Sequence, residues 1–434
     1  MPLSPGTAAP ARGAASRDGT AGVAPVPAAR GGTGAVRVDL GEAGVVQGSV
    51  AAGFEPVLDA FVSNFTDLGD VGAGLCVVRD GRPVVDLTGG WARVRDRVPY
   101  DERSLQLVFS TTKGATALCA HLLAERGLLD LDAPVTEVWP ELRAGSGGSV
   151  PVRWLLTHQV GLPTVDADLS FEEVLAWDPV VDALAAQEPF WEPGTDHGYH
   201  ALTFGWLVGE LVRRVDGRSI GRFLADEVAA PLGLELYIGL PPAEEPRVAP
   251  LRTARLAPGP RPVTDPRSVK VWAEMLRPGS LAVRALTLNG AFGAFGRSGP
   301  FNSPELRAAE VPAANGVTNA RSLARMYAAT IGPVDGIRLL GPEQLEVAAT
   351  PQAVGPDRVL VADSCFGVGL QCHHPDFAPL LGPGSFGHSG AGGSLGFAHP
   401  DSGVAFGFVV SQLRFGLGGD DRATRLVGAL ARCL

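Results

Sequence analysis

Two side chains that can act together as a nucleophile and its base lie three residues apart, in the run Ser110-Thr111-Thr112-Lys113. Positions i and i+3 of a helix share one face, so the serine Oγ and the lysine Nζ can meet. A serine hydroxyl attacks a carbonyl carbon when a neighbouring base takes its proton, and a lysine can be that base when its pKa is lowered. The backbone N–H of a serine at a helix N-terminus can also receive an oxyanion. The alternative is a serine that caps a helix beside a solvated lysine.

A second chemical group, the phenol of Tyr199, lies in the run EPGTDHGYH over residues 192–200. A Pro-Gly turn brings this tyrosine to a position just before a predicted helix. A phenol beside a cation can relay a proton between a nucleophile and a leaving group. The alternative is an ordinary half-buried tyrosine.

A third element is the glycine-rich run GHSGAGGS over residues 387–394. Glycines at this density before a strand let backbone N–H groups approach a substrate closely. One such N–H group can complete an oxyanion hole. The alternative is a flexible turn.

A competing nucleophile, Ser394, lies in the run GGSLG over residues 392–396, which fits the G-x-S-x-G pattern. That pattern needs a strand before the serine, a helix after it, and an aspartate and then a histidine farther along. Only about 40 residues follow Ser394, and they contain one histidine, His399, in a predicted turn. We therefore do not assign Ser394 as the nucleophile.

The elements that must position these groups follow from the spacing of apolar residues. Two β-rich runs within 74–92 flank Asp80-Gly81, a strong hairpin signal, and two more within 393–412 are joined by a turn at 399–403. Residues 240–315 are rich in Pro, Gly and Arg, and we expect long loops and short helices around a cleft. The periodicity predicts helices over about 52–66, 110–126, 200–216, 320–331 and 421–433.

The order of these elements predicts an α+β fold, in which an antiparallel sheet is shared by both chain ends and flanked by terminal helices, with a mostly helical lobe inserted. The Ala-, Gly- and Pro-rich N-terminus predicts a disordered tail over residues 1–40. The remaining residues 41–434 form one catalytic domain. Its α/β lobe is predicted at about 41–110 and 330–434, and its helical lobe at about 111–329.

Composition excludes several classes of function. The formal net charge is −10 and no basic run occurs, so we expect no nucleic-acid partner. No stretch of about 18 uninterrupted apolar residues occurs, and no secretory signal is recognised, so we expect no membrane span and a cytoplasmic location. The five cysteines are scattered, which favours core thiols in a reducing compartment. His373-His374 beside Cys372 lack a second ligand pair at a known spacing, so we expect no metal site and no cofactor.

The three motifs, in this order, resemble the serine β-lactamase and penicillin-binding-protein superfamily, and in particular its family VIII carboxylesterases. The resemblance covers about residues 50–430. The similar stretches are VFSTTKG at 108–114, LLTHQVGLP at 155–163, YHALTFGWLVGEL at 199–211, NGVTNARSLARMY at 315–327 and GHSGAGGSLGFAHPDSG at 387–403.

The resemblance implies a β-lactamase/transpeptidase-like fold and a role for each motif. Ser110 would be the nucleophile and Lys113 the adjacent base. Tyr199 matches the tyrosine of the family's Y-x-N element.

The resemblance also implies a substrate-binding strand and an oxyanion hole. His388-Ser389-Gly390 match the K-T-G strand of the family. The N–H groups of Ala391 and Ser110 would receive the oxyanion.

Two positions depart from the family pattern. The asparagine of Y-x-N is Ala201, and the lysine of K-T-G is His388. Both missing groups help to recognise the amide and the carboxylate of β-lactams and peptides. We therefore expect cleavage of small-molecule esters rather than efficient β-lactamase activity.

The expected function is that of a serine hydrolase which cleaves carboxylic esters through an acyl-enzyme on Ser110. One alternative is an acyltransferase or thioesterase-like biosynthetic enzyme that uses the same site. Another is a non-catalytic β-lactamase-like scaffold. Trp191 and Trp206 could line an acyl pocket, but core packing is the role that we expect for each. The oligomeric state is not predicted.

Overall fold

An antiparallel sheet of eleven strands, contributed by both ends of the chain, forms the centre of the structure. The computed structural model describes residues 34–142, 144, 149–255, 273–274, 277–293, 300–414 and 420–434. Its strands are β1 (Gly34–Asp39), β2 (Val45–Val50), β3 (Gly72–Arg79), β4 (Arg82–Arg93), β5 (Val98–Pro99), β6 (Gln106–Leu107), β7 (Leu236–Tyr237), β8 (Arg252–Arg255), β9 (Val317–Thr318), β10 (Ala353–Pro356), β11 (Asp363–Phe366), β12 (Gln371–Cys372), β13 (Phe386–Ser389), β14 (Leu395–His399), β15 (Val404–Val410) and β16 (Gln412–Arg414).

The order of the large sheet is β1-β2-β4-β3-β15-β14-β13-β12-β11-β10, with β5 paired to β4. Strands β3 and β15 pair from Arg79 with Val404 to Ala73 with Val410, and this pairing joins the two ends of the chain. Two small sheets, β6-β9-β7 and β16-β8, lie outside this order. The predicted antiparallel sheet shared by both chain ends is confirmed.

The helices pack on the two faces of this sheet and form the inserted lobe. They are α1 (Glu55–Thr66), α2 (Thr112–Glu125), α3 (Arg153–Leu156), α4 (Phe171–Leu175), α5 (Asp178–Ala186), α6 (Thr203–Asp216), α7 (Ile220–Leu224), α8 (Ala230–Leu232), α9 (Leu281–Thr287), α10 (Pro304–Ala308), α11 (Ala320–Ile331), α12 (Pro342–Ala349) and α13 (Asp421–Ala431). None of the helices among the described residues has the length and apolar character that crossing a membrane requires.

Strand β15 shows why the sheet carries a core on each face. Phe406 and Phe408 point into the core beneath α1 and α13, whereas Ala405 and Val409 point into the core shared with α2 and α11. Successive side chains of a strand alternate between faces, so a strand buried on both sides is apolar throughout. The catalytic candidates belong to the α2 and α11 face.

Local sequence signals place several elements as predicted. Asp80 and Gly81 have φ values of 50° and 75°, as the tight turn between β3 and β4 requires. The Asn319 side chain accepts a hydrogen bond of 2.8 Å from the Ser322 N–H and caps α11. Gly217 ends α6 in a left-handed conformation.

Two predicted boundaries are wrong. Residues 34–39 form β1 and pair with β2, so they belong to the sheet rather than to a tail. The alternation of Val36 and Val38 places apolar side chains against the core, which the composition of the tail obscured. Residues 1–33 of the predicted tail lie outside the described residues.

The second wrong boundary concerns α11, which was assigned to the helical lobe but packs on β3, β14 and β15. Close approach is the reason, because a Cβ at Gly407 would lie 2.3 Å from the Ala320 carbonyl oxygen. The helical lobe therefore ends before Ala320. Between residues 240 and 315, the described part holds α9, α10, β8 and 3₁₀ turns, in agreement with the expected loops and short helices.

A buried guanidinium, that of Arg422 at the start of α13, ties both chain ends to the turn between β13 and β14. Its Nη1 donates to Asp70 Oδ1 at 2.7 Å and to the Gln412 carbonyl at 2.8 Å. Its Nη2 donates to the Gly392 carbonyl at 2.6 Å and to Asp420 Oδ2 at 2.7 Å, and its Nε donates to Asp420 Oδ1 at 2.8 Å. The Arg422 and Asp70 side chains are both inaccessible to solvent, so each of these two charges depends on the other for its neutralisation.

Replacing Arg422 with Met is expected to lower the free energy of unfolding by about 3–5 kcal/mol, because Asp70 is left as an uncompensated buried charge. Urea denaturation measures this loss. Arg425→Met on the same helix is the matched control, since its ion pair with Asp67 is solvent-exposed and contributes about 0–1 kcal/mol. Equal losses in the two variants would contradict the structural role of Arg422.

Candidate active site

Ser110 lies in a 3₁₀ turn, Phe109–Thr111, immediately before α2, and its side chain is half-buried. Phe109 has a φ of 47°, an uncommon conformation for a non-glycine residue. Thr112 holds the turn, because its Oγ1 donates to the Phe109 carbonyl at 2.5 Å and accepts from the Gly316 N–H at 2.8 Å. The turn lies against strand β13, which belongs to the large sheet.

Lys113, in the first turn of α2, is fully buried. Its Nζ lies 3.2 Å from Ser110 Oγ and donates to the carbonyls of Ala201 at 2.6 Å and Ala313 at 2.9 Å. Burial lowers the pKa of Lys113 well below its ordinary value, and among the described residues no carboxylate offsets this effect.

The three contacts of the Lys113 nitrogen suit either protonation state, since an ammonium has three N–H donors for the same three acceptors, and burial is what favours the neutral amine. An uncharged amine has two N–H donors and one lone pair, and the site offers two carbonyl acceptors and one hydroxyl. The two N–H groups are used by Ala201 and Ala313, which leaves the lone pair for the hydroxyl proton of Ser110. The arrangement can therefore remove that proton.

Tyr199 lies in an irregular segment before α6, and its phenol is near enough to the Ser110 side chain for the two groups to interact. Its ring lies beneath Lys113, with Nζ 4.8 Å from the ring centroid. Burial raises the pKa of Tyr199, although the interaction with Ser110 acts in the opposite direction. The phenol therefore stays protonated at neutral pH and can pass a proton on, while Lys113 is the better base.

His388, on β13, is a buried and neutral imidazole. Its Nδ1 donates to the Ser389 carbonyl at 2.7 Å, and its Nε2 has no partner among the described residues. Burial is the main cause that lowers the pKa of His388 to about 3. The ring lies 6.1 Å from that of Tyr199. It therefore supplies no positive charge at the place where the K-T-G pattern has a lysine.

The end of β13 and the turn after it lie beside Ser110. The Ser389 N–H and Oγ both donate to Gln371 Oε1, at 2.8 and 3.0 Å. Gly390 packs so closely on the loop that carries Ser110 that a Cβ there would lie 2.2 Å from the Val108 carbonyl oxygen. Ala391 is exposed, and its N–H makes no hydrogen bond within the part of the chain that the structure describes.

The hydroxyl of Ser394 makes structural hydrogen bonds and is not arranged as a nucleophile would be. Its Oγ donates to the Val108 carbonyl at 2.8 Å and lies 3.1 Å from Thr111 Oγ1. Strand β14, not a helix, follows it. The prediction that the G-x-S-x-G match does not mark an elbow is confirmed.

The structure places Lys113 beside both Ser110 and Tyr199, and Gly390 against the loop that carries Ser110. It also shows three contacting groups that the sequence analysis missed. The Ala313 carbonyl contacts Lys113, and the Gln371 side chain contacts Ser389. The Asp357 carboxylate contacts the backbone of Tyr199. No motif could have revealed them, because each acts across a long sequence separation.

The two tryptophans that could have lined a pocket are buried. Trp206 is fully inaccessible and lies in the core of the helical lobe, where its ring is 6.3 Å from that of Trp177. Trp191 packs against His200, with ring centroids 5.9 Å apart. Core packing is therefore the role of Trp206, as predicted, and Trp191 is buried as well.

Comparisons with known proteins identify the family to which the chain belongs. A protein-family model described as Beta-lactamase matches residues 58–430. The esterase/beta-lactamase LipL of Mycobacterium tuberculosis (strain ATCC 25618 / H37Rv) is 38% identical over 375 residues, which are 85% of this chain and 83% of that protein.

Two solved structures are similar over nearly the whole domain. A family VIII carboxylesterase superposes with a TM-score of 0.79 at 34% identity and covers 90% of this chain and 100% of its own. A penicillin-binding protein homolog from Caulobacter crescentus superposes with a TM-score of 0.78, also at 34% identity and with the same coverage.

Proposed function

Because the chain belongs to the β-lactamase family and has its β-lactamase/transpeptidase-like fold, we propose that it cleaves carboxylic esters as a serine hydrolase, through an acyl-enzyme on Ser110. The names of its relatives, an esterase/beta-lactamase and a family VIII carboxylesterase, support an ester substrate. The observation that carries the proposal is the contact between Ser110 Oγ and the buried, carboxylate-free Nζ of Lys113.

Acylation begins when Ser110 Oγ attacks the ester carbonyl carbon and its proton passes to the neutral amine of Lys113. The carbonyl oxygen becomes an oxyanion, and the backbone N–H groups of Ser110 and Ala391 receive it. Collapse of this intermediate breaks the bond to the alkoxy oxygen. The proton then moves from Lys113 through the Tyr199 hydroxyl to the departing alkoxide, which leaves as an alcohol.

Deacylation repeats these steps with water as the nucleophile. Tyr199 and Lys113 take the water proton, and the Ser110 oxygen leaves as the carbonyl re-forms. Its proton returns from Lys113, so the free acid is released and the site is restored. Ser110 is half-buried rather than sealed, so water can reach the acyl-enzyme.

Ester rather than β-lactam or peptide cleavage follows from two side chains. At position 201 the site offers only a backbone carbonyl, which Lys113 already uses, because Ala201 has no amide to bind that of a peptide. At position 388 it has a neutral imidazole, which cannot hold a substrate carboxylate by charge. An uncharged small-molecule ester needs neither group.

We also propose a cytoplasmic location. It is supported by the five free thiols, which would persist in a reducing compartment.

Replacing Ser110 with Ala is expected to lower kcat for a p-nitrophenyl ester by at least about 1000-fold and to abolish covalent labelling by a fluorophosphonate, because the attacking oxygen is removed. Intact-mass spectrometry measures the labelling. Ser394→Ala is the comparison variant and should still be labelled once per chain. Labelling that persists in Ser110→Ala and disappears in Ser394→Ala would overturn the assignment. Absence of both turnover and labelling in the parent protein would favour a non-catalytic scaffold.

Water is expected to remain the main acceptor when alcohols compete with it. The measurement is product analysis after reaction of a p-nitrophenyl ester with a panel of short- and long-chain alcohols at millimolar concentration. Free acid should dominate throughout. Conversion of the acyl group mainly into one new ester would contradict hydrolysis and establish acyl transfer from the same serine.

A further inference from the structure

Tyr199 has no regular secondary structure of its own, yet three consecutive backbone N–H groups around it are bonded to distant segments. The Gly198 N–H donates to the His158 carbonyl at 3.1 Å, and the His200 N–H donates to His158 Nδ1 at 3.1 Å. Between them, the Tyr199 N–H donates to Asp357 Oδ1 at 3.0 Å. The backbone of the phenol-bearing residue is therefore held from two directions.

Asp357 organises the loop between β10 and β11. Its Oδ1 also accepts from the N–H groups of Val359 and Leu360, each at 2.8 Å, and its Oδ2 accepts from Ser364 Oγ at 3.1 Å. The carboxylate is almost fully buried and forms no salt bridge within the described part of the chain. Burial raises its pKa, whereas the backbone N–H donors lower it. Four hydrogen bonds thus meet on a carboxylate whose neighbours are amides and a hydroxyl.

The same loop makes further contacts with the segment that carries Tyr199. The Arg358 N–H donates to the His197 carbonyl at 3.1 Å, and the Arg358 guanidinium pairs with Asp196 at 3.3 Å. His197 Nε2 lies 3.0 Å from Ser364 Oγ, the group that also binds Asp357. The loop and the segment therefore form one connected unit.

The ring of Tyr199 is held as firmly as its backbone. It stacks on Phe366 at the end of β11, with centroids 5.8 Å apart and planes 9° apart. The His158 ring meets it edge-on, with centroids 5.1 Å apart. With the ring plane set by these contacts, the backbone bond to Asp357 sets how far the phenol reaches toward Ser110.

We propose that Asp357 is a positioning residue for catalysis, which holds the Tyr199 hydroxyl in place beside Ser110 through the hydrogen bond from the Tyr199 N–H to its carboxylate. This inference rests on the proposed function, in which Tyr199 relays the proton. Asp357 touches no reacting atom, so its effect on the rate should pass entirely through Tyr199.

A kinetic double-mutant cycle tests this dependence. Asp357→Ala is expected to lower kcat by roughly 10- to 100-fold and to change KM by less than about threefold, because a misplaced proton relay slows chemistry more than binding. In a Tyr199→Phe background the same change should lower kcat by less than about threefold. Equal factors in the two backgrounds would overturn the proposal, because a general structural defect acts with or without the phenol.

The Asp357→Asn variant separates the acceptor role from the charge. Asparagine keeps one carbonyl oxygen for the three N–H groups, so kcat should return to within about threefold of the parent value. An Asn variant as slow as the Ala variant would overturn the acceptor role. Should Asp357→Ala fail to fold, Ser364→Ala replaces it in the cycle. That variant removes the hydroxyl that fixes Oδ2, and its smaller loss of kcat should likewise vanish without the Tyr199 hydroxyl.

Gln352→Ala is the matched control, because Gln352 directly precedes β10, which forms an antiparallel hairpin with β11. Its side chain accepts from Arg153 Nη1 at 3.2 Å and so ties β10 to the helical lobe without touching the segment of Tyr199. Its kcat should stay within about twofold of the parent value, and a loss as large as that of Asp357→Ala would overturn the specific role. A Tyr199→Phe variant that keeps the parental kcat would instead refute the proposed proton relay through Tyr199. This result differs from the one that refutes the role of Asp357, in which Tyr199→Phe lowers kcat and Asp357→Ala lowers it by the same factor in both backgrounds.

Discussion

The burial of one amine, Lys113 Nζ, is the constraint on which the rest of the site depends. Helix α2 supplies the lysine, the segment before α6 supplies the Ala201 carbonyl, and the segment before β9 supplies the Ala313 carbonyl. Two carbonyls satisfy both N–H groups of a neutral amine but cannot neutralise an ammonium as a carboxylate would. The fold therefore favours the uncharged form, and Ser110 Oγ lies 3.2 Å from the nitrogen, within reach of the lone pair of that form.

The groups around Lys113 keep the site free of net charge. Burial raises the pKa of Tyr199 and lowers the pKa of His388 to about 3, so the phenol and the imidazole are both neutral near pH 7. A fixed charge at either place would change the pKa of Lys113 and attract an ionic substrate. Uncharged neighbours instead leave the amine basic enough to act and the pocket suited to an uncharged ester.

Local signals explain what could be predicted from the sequence. The turn at Asp80-Gly81, the helix from Ala320 and the position of Ser110 just before α2 all follow from short runs of residues. The features that could not be predicted from the sequence depend on contacts between segments that are distant along the chain. Gly407 lets α11 approach the sheet closely, and Asp357 binds Tyr199, which lies 158 positions away in the sequence. Neither contact produces a periodic pattern or a motif in the sequence. The short strand β1 was obscured because its alternation is brief and follows a tail-like composition.

Titration of the lysine side chains by NMR tests the central claim most directly. The chain has only two lysines, Lys113 and Lys270, so protein labelled with ¹³C at lysine Cε gives two resonances, and Lys113→Met assigns them. We predict that the Lys113 resonance titrates well below the ordinary lysine pKa of 10.5, because burial disfavours its ammonium form. Titration of the Lys113 resonance near 10.5 would contradict a neutral amine as the base for Ser110.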